Sequence, residues 1–133
     1  MNKFEFFKWC EERNLIRNGE IAELFRLSSQ TVRNWRKKED DSMLPAWVSW
    51  ACIVLDTEEQ REASLKIPQM SVERLSKWQR RHGFKTLDDT AGVFYIERQA
   101  VHNWYKRGRF PRWLSLACIG YDHDKRLKAR RER

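Results

Sequence analysis

Two short stretches carry the side chains best suited to chemistry. Thr31 to Trp35 reads TVRNW and Ala100 to Trp104 reads AVHNW, with Val, Asn and Trp in the same three places. Gln30 and Gln99 precede them at matching positions. Asn and Gln carboxamides can pair bidentately with adenine, and the Arg33 guanidinium with guanine. On a helix with Val32 and Trp35 pointing inward, Ser29, Gln30, Arg33, Asn34 and Lys37 point outward. Their counterparts are Arg98, Gln99, His102, Asn103 and Lys106.

The echo extends along most of the chain. Trp9, Ala22, Phe25, Gln30 and Lys37 recur as Trp78, Ala91, Phe94, Gln99 and Lys106, always 69 positions on (Trp9 to Trp78). The first copy then holds three extra residues around DDS, and the offset falls to 66 (Pro45 to Pro111). Trp47, Ser49, Cys52 and Asp56 accordingly return as Trp113, Ser115, Cys118 and Asp122. A fixed-offset repeat means that one structural unit is written twice. The boundaries are 1–56 for the first unit, 57–70 for a polar, partly helical linker, 71–122 for the second unit and 123–133 for a basic C-terminal tail.

Composition narrows the classes. The chain is 41% hydrophobic with seven Trp and seven Phe, enough to build cores. No apolar run reaches the roughly 18 residues needed to span a bilayer, so no membrane partner is expected. The first ten residues, MNKFEFFKWC, carry charges and no small-residue cleavage site, and so do not read as a signal peptide. Three Cys match no disulfide framework, which predicts a reducing, cytoplasmic setting. The net charge of +8 is uneven: Lys and Arg balance Asp and Glu at nine each in 1–56, but lead ten to five in 71–122 and six to two in 123–133. Such a surplus points to a polyanion partner.

The elements that position these residues are short helices. Phe4, Phe7 and Cys10 with Phe6 and Trp9 predict a helix near 3–13. Its counterpart is SVERLSKWQRRHG, capped by Ser71 and stopped at Gly83. Second helices fall near 19–25 and 87–94, and third helices follow Ser28 and Glu97, either of which suits a helix N-terminus. Fourth helices open at Pro45 and Pro111, where proline suits a first turn. The tail HDKRLKARRER reads as a frayed helix, and only TAGVFYI could pass for a strand. The fold class is all-α. Trp9, Trp35, Trp78 and Trp104 recur at helical spacing as core residues, while Trp50, whose counterpart is Leu116, belongs at an interface between copies or chains.

The stretch IAELFRLSSQTVRNWRK resembles a helix-turn-helix of the lambda-repressor/Cro (XRE-type) superfamily. Ala22, Leu27, Ser28, Val32 and Trp35 occupy the slots of the motif, and Ala91, Ile96, Val101 and Trp104 fill most of them in the second copy. The turn departs from the family, with Arg26 and Tyr95 where Gly is usual. The resemblance implies two tandem four-to-five-helix Cro-like units. It further implies that Ser29, Gln30, Arg33 and Asn34, with Arg98, Gln99, His102 and Asn103, contact bases. Lys37, Lys38, Lys106, Arg107 and Arg109 would then meet phosphates. The partner implied is double-stranded DNA, and a homodimer through the fourth helices would double the site. The implied function is a transcriptional regulator, a repressor above all, of the compact kind found in bacteriophages and their bacterial host cells.

Gln30, Asn34, Gln99 and Asn103 as solvated leftovers of a duplication would leave unexplained why Arg33/His102 and Ser29/Arg98 diverge while the framework does not. An assembly or interaction protein, such as a DNA-packaging recognition subunit or antirepressor of a phage or mobile element, is the alternative function. No catalytic constellation is visible, so no enzyme is expected. No CxxC pair, phosphate loop or cofactor motif occurs, so neither metal nor cofactor is expected. Cys52 and Cys118 read as small core hydrophobes, and His82 and His123 as surface residues.

Overall fold

Asn2 starts the first helix, α1 (Lys3–Glu12), with a capping box: its side chain accepts from the Glu5 N–H, and Glu5 accepts from the Asn2 N–H. The computed structural model describes residues 1–132, and these form nine helices with no strand beyond a single bridge between Asn2 and Met43. The first copy continues with α2 (Asn18–Phe25), α3 (Ser29–Arg36) and α4 (Trp47–Val54). A linker helix, α5 (Glu58–Ser64), follows. The second copy holds α6 (Val72–Arg81), α7 (Leu87–Phe94), α8 (Arg98–Arg107) and α9 (Leu114–Arg131). The expected all-α class is therefore observed, and TAGVFYI is helical up to Phe94. Among the described residues no helix is long and apolar enough to cross a membrane.

Most helix starts follow their side chains. Ser28 accepts from the Thr31 N–H, Thr57 from Gln60 and Ser71 from Arg74. Thr86 and Asp89 form a second capping box at α7, and N–H donors of Thr86 and Lys85 hold the Asp89 carboxyl below its usual range. Glu97 differs from Ser28. It occupies the N-cap of α8 but makes no side-chain hydrogen bond there. Pro45 and Pro111 also require a correction. The fourth helices open at Trp47 and Leu114, and the prolines sit in the preceding turn, their carbonyls accepting from Val48 and Leu114. The tail continues α9 without a break as far as Arg131; Arg133, the end of the expected tail, lies outside the described residues.

The turns after α2 and α7 keep a tight geometry without glycine. Arg26 and Tyr95 adopt the left-handed region at φ 57° and 55°. Leu27 and Ile96 then donate back to the carbonyls of Ala22 and Ala91, closing both helices in the same way. An L-residue in that region costs roughly 1–2 kcal/mol. Tyr95 is 81% exposed, so nothing in its surroundings offsets that strain. Tyr95→Gly is accordingly expected to raise stability by about 0.5–1 kcal/mol, the relief being partly cancelled by the greater freedom of glycine in the unfolded chain. A higher urea midpoint would verify it. Arg26→Gly should give no such gain, because Arg26 Nη2 donates to the carbonyls of Ser64 and Ile67 and so ties the linker down.

One aromatic core runs through both copies. Phe6 meets Phe25 and Trp35 edge-on at 5.2 and 5.5 Å in the first. Trp78 stacks on Phe94 at 5.6 Å in the second. Between them, Trp47 lies flat on its repeat counterpart Trp113, with ring centroids 5.0 Å apart and planes 3° from parallel. A residue that meets its own counterpart marks the axis of an isologous contact. The packing of α4 on the first half of α9 is the most extensive between helices in the described chain. Trp50 belongs to this contact, with its ring near Phe94 and Tyr121, and so lies between the copies. Trp104 is only half-buried, while Trp9, Trp35 and Trp78 are core residues as expected.

Candidate nucleic-acid interface

The third helices present their amides outward. Val32 and Trp35 are buried on α3, and Val101 is buried on α8. Gln30, Arg33, Asn34, Arg98, Gln99 and His102 are exposed, and Ser29 and Asn103 are half-exposed. Each amide pair is tied internally in the same way. Gln30 Nε2 donates to Asn34 Oδ1 at 2.9 Å, and Gln99 Nε2 donates to Asn103 Oδ1 at 3.0 Å. The tie leaves each Gln carbonyl oxygen and each Asn NH2 group turned to solvent, an acceptor beside a donor on one helix face. Such a pair is pre-organised for a base edge, because the rotamers are already restricted. Arg98 also approaches Asp88 at 3.9 Å, an exposed contact of little energetic weight.

The expected phosphate contacts cluster where these helices end. Lys37 and Lys38 follow α3, Lys106 and Arg107 form the last turn of α8, and Arg109 comes just after it; all five are exposed. The two ends differ in electrostatics. Beyond Lys38 comes the inserted segment with Glu39, Asp40 and Asp41, all exposed. It is strapped to the N-terminus by hydrogen bonds from the Lys3 N–H to the Ser42 carbonyl and from the Phe4 N–H to the Asp40 carbonyl, and by a Lys3–Asp40 ion pair at 3.4 Å. Beyond Arg107 no acidic residue occurs before Asp122. Arg36, on the last turn of α3, is spent on structure: it bonds to Asn18 and the Ile16 carbonyl and lies over the Phe7 ring.

A buried polar knot anchors the second copy, and the reading of His82 as a surface residue is wrong. His82 is largely covered, and it meets Asp122, which also accepts from Trp78 Nε1 at 3.0 Å and from Arg81 at 2.7 Å. In the first copy Asp56 stands at the matching place and is met by Arg13. The two aspartates thus tie the fourth helix of each copy back to the end of its first. Asp122→Ala would leave the covered Trp78 and His82 without their partner, while the exposed Arg81 turns to water, and is expected to cost about 2–3 kcal/mol. Asp56→Ala should cost less, since it leaves one partner unpaired. Urea denaturation of the two variants side by side tests the ranking.

The cysteines are buried thiols, and none lies in a metal-binding cluster of the described residues. Burial pushes Cys10 up to about 12 and raises Cys52 and Cys118 further, so all three stay protonated at neutral pH and pack as small apolar groups. Two cations stand between the copies, Arg26 and Arg112. Their one sequence signal is substitution: Arg26 stands at a turn position that favours glycine, and Arg112 stands where the first copy has Ala46. Comparison with protein-family models, with curated proteins and with solved structures finds no match to this chain.

Proposed function

We propose that the chain is a sequence-specific double-stranded DNA-binding regulator, a transcriptional repressor above all. In this reading it carries two lambda-repressor/Cro-like helix-turn-helix units, and α3 and α8 each enter a major groove. The observation that carries it is the matched pair of tied, outward-facing amides, Gln30–Asn34 and Gln99–Asn103, on helices whose ends are basic. The contact of α4 with α9 through counterpart residues supports a second element: a single polypeptide does what a repressor dimer does, with both readers held at high effective concentration. Ser29, Gln30, Arg33 and Asn34 read one half-site, and Arg98, Gln99, His102 and Asn103 the other. Because these sets differ at Ser29/Arg98 and Arg33/His102, the two half-sites differ in sequence.

Selection of bound fragments from a random duplex library tests the proposal. The expected product is a two-part motif with its halves about one helical turn, roughly 10 bp, apart. Asn34→Ala and Asn103→Ala should each weaken binding to the selected site by about 1–3 kcal/mol and relax preference in one half only. If the library yields no motif and both variants bind duplex like the parent, the helices serve protein contacts, and the assembly-protein reading takes over.

A further inference from the structure

A groove of about 570 Å³ opens between the two copies, beside the stacked Trp47–Trp113 pair. Residues from both turns line it, Arg26 from the first and Tyr95 from the second, with Trp35 and the two prolines, Pro45 and Pro111, completing the apolar wall. Its volume lies within the range of small-molecule sites. Arg26 and Arg112 both line it, and no acidic side chain is among its described lining residues. Among the described residues no carboxylate pairs with either cation. Arg26 Nη2 bonds only to carbonyl oxygens, and its Nη1 is buried with no hydrogen-bond partner among the described residues. Burial first, and the nearby Arg112 charge second, depress the basicity of Arg26.

Apolar walls with two like charges at one side select for a particular kind of guest. A hydrated inorganic anion would satisfy the cations and waste the indoles; a neutral aromatic would do the reverse. We propose that this groove binds one small, planar aromatic carboxylate, its ring against the Trp47 and Trp113 side of the groove and its carboxylate between Arg26 and Arg112. Guanidinium and carboxylate match in geometry and charge. Because the walls come from both copies, an occupant touches both at once. Its binding is therefore linked to their relative placement.

The test is calorimetric titration of the whole protein, without DNA, with 1-naphthoate, and in parallel with the neutral 1-naphthamide and with inorganic phosphate. The expected result is one site per chain for 1-naphthoate, with the amide and phosphate at least tenfold weaker. Arg112 is exposed, and Arg112→Glu should lower naphthoate affinity at least tenfold with little change in melting temperature, whereas Arg112→Lys should retain most of it. Equal binding of carboxylate and amide would overturn the proposal, as would naphthoate binding unchanged by Arg112→Glu or no binding at all. Phosphate binding as tight as naphthoate would overturn it too, and would assign the cations to a phosphate seat. Should Arg112→Glu fail to fold, the carboxylate, amide and phosphate comparison on the parent protein decides alone. None of these readings depends on the duplex selection, so the two proposals fail separately.

Discussion

Gly120→Ala is expected to destabilise the protein by about 2 kcal/mol, within the range for overpacking a filled contact. A Cβ at this position would lie 2.7 Å from Trp50 Cβ and 2.8 Å from the Trp50 backbone carbon. A flexible side-chain tip could swing away, but backbone cannot, so α9 must lift from α4. That lift disturbs the Trp50–Tyr121 and Trp47–Trp113 ring contacts beside it. Alanine brings a helix-propensity gain of about 1 kcal/mol over glycine, and the expected figure is net of that gain. Gly92→Ala supplies the matched control. Gly92 also sits inside a helix, but nothing lies within 4 Å of its would-be Cβ. There the same chemical change should stabilise by about 0.5–1 kcal/mol. Urea unfolding of the two variants should therefore move in opposite directions. If both stabilise, the close approach of α9 to α4 is not a feature of the folded protein.

This contact marks the limit of what sequence conveys. The repeat was legible because core residues are constrained in both type and spacing, so Trp9/Trp78 and Val32/Val101 survive in register. Helix starts were legible where a hydroxyl caps them, as at Ser28 and Ser71, since a cap acts on residues three positions away. Arg26 and Tyr95 hid their left-handed turns because the usual glycine is missing, and the conformation is imposed by the helix-closing bonds from Leu27 and Ile96. The Asp122 knot was invisible for a different reason. Its partners Trp78, Arg81 and His82 lie about forty positions away, and no local pattern joins residues across that distance. Fourth-helix starts were misplaced by a few residues because proline suits the turn before a helix as well as its first turn. For the candidate site, the outward faces of α3 and α8 followed from the inward ones, whereas the groove between copies depends on how α4 meets α9.

The charge difference between the copies leads to the largest expected effect on DNA. Around the first reader, Arg33, Arg36, Lys37 and Lys38 are opposed by Glu39, Asp40 and Asp41; around the second, Arg98, Lys106, Arg107, Arg109 and Arg112 are opposed by Glu97 and by Asp88, which approaches Arg98. Arg36 is further committed to Asn18 and Ile16. Under the DNA-binding proposal, the second copy therefore supplies most of the phosphate attraction. The double change Lys106→Ala with Arg107→Ala is expected to weaken binding at about 0.1 M salt by tenfold or more, and to reduce the slope of log K against log salt by about 2. Lys37→Ala with Lys38→Ala should cost clearly less, because the acidic Glu39, Asp40 and Asp41 follow those lysines directly. The converse follows from the same field: Glu39→Gln with Asp41→Asn should tighten binding by roughly threefold to tenfold at low salt, an effect that fades as the Debye length shrinks. Fluorescence anisotropy with a labelled duplex across a salt series measures all three. Equal losses from the two lysine and arginine pairs would show that the insertion does not shield the first reader. An unchanged slope in both would remove phosphate contact at these helix ends altogether.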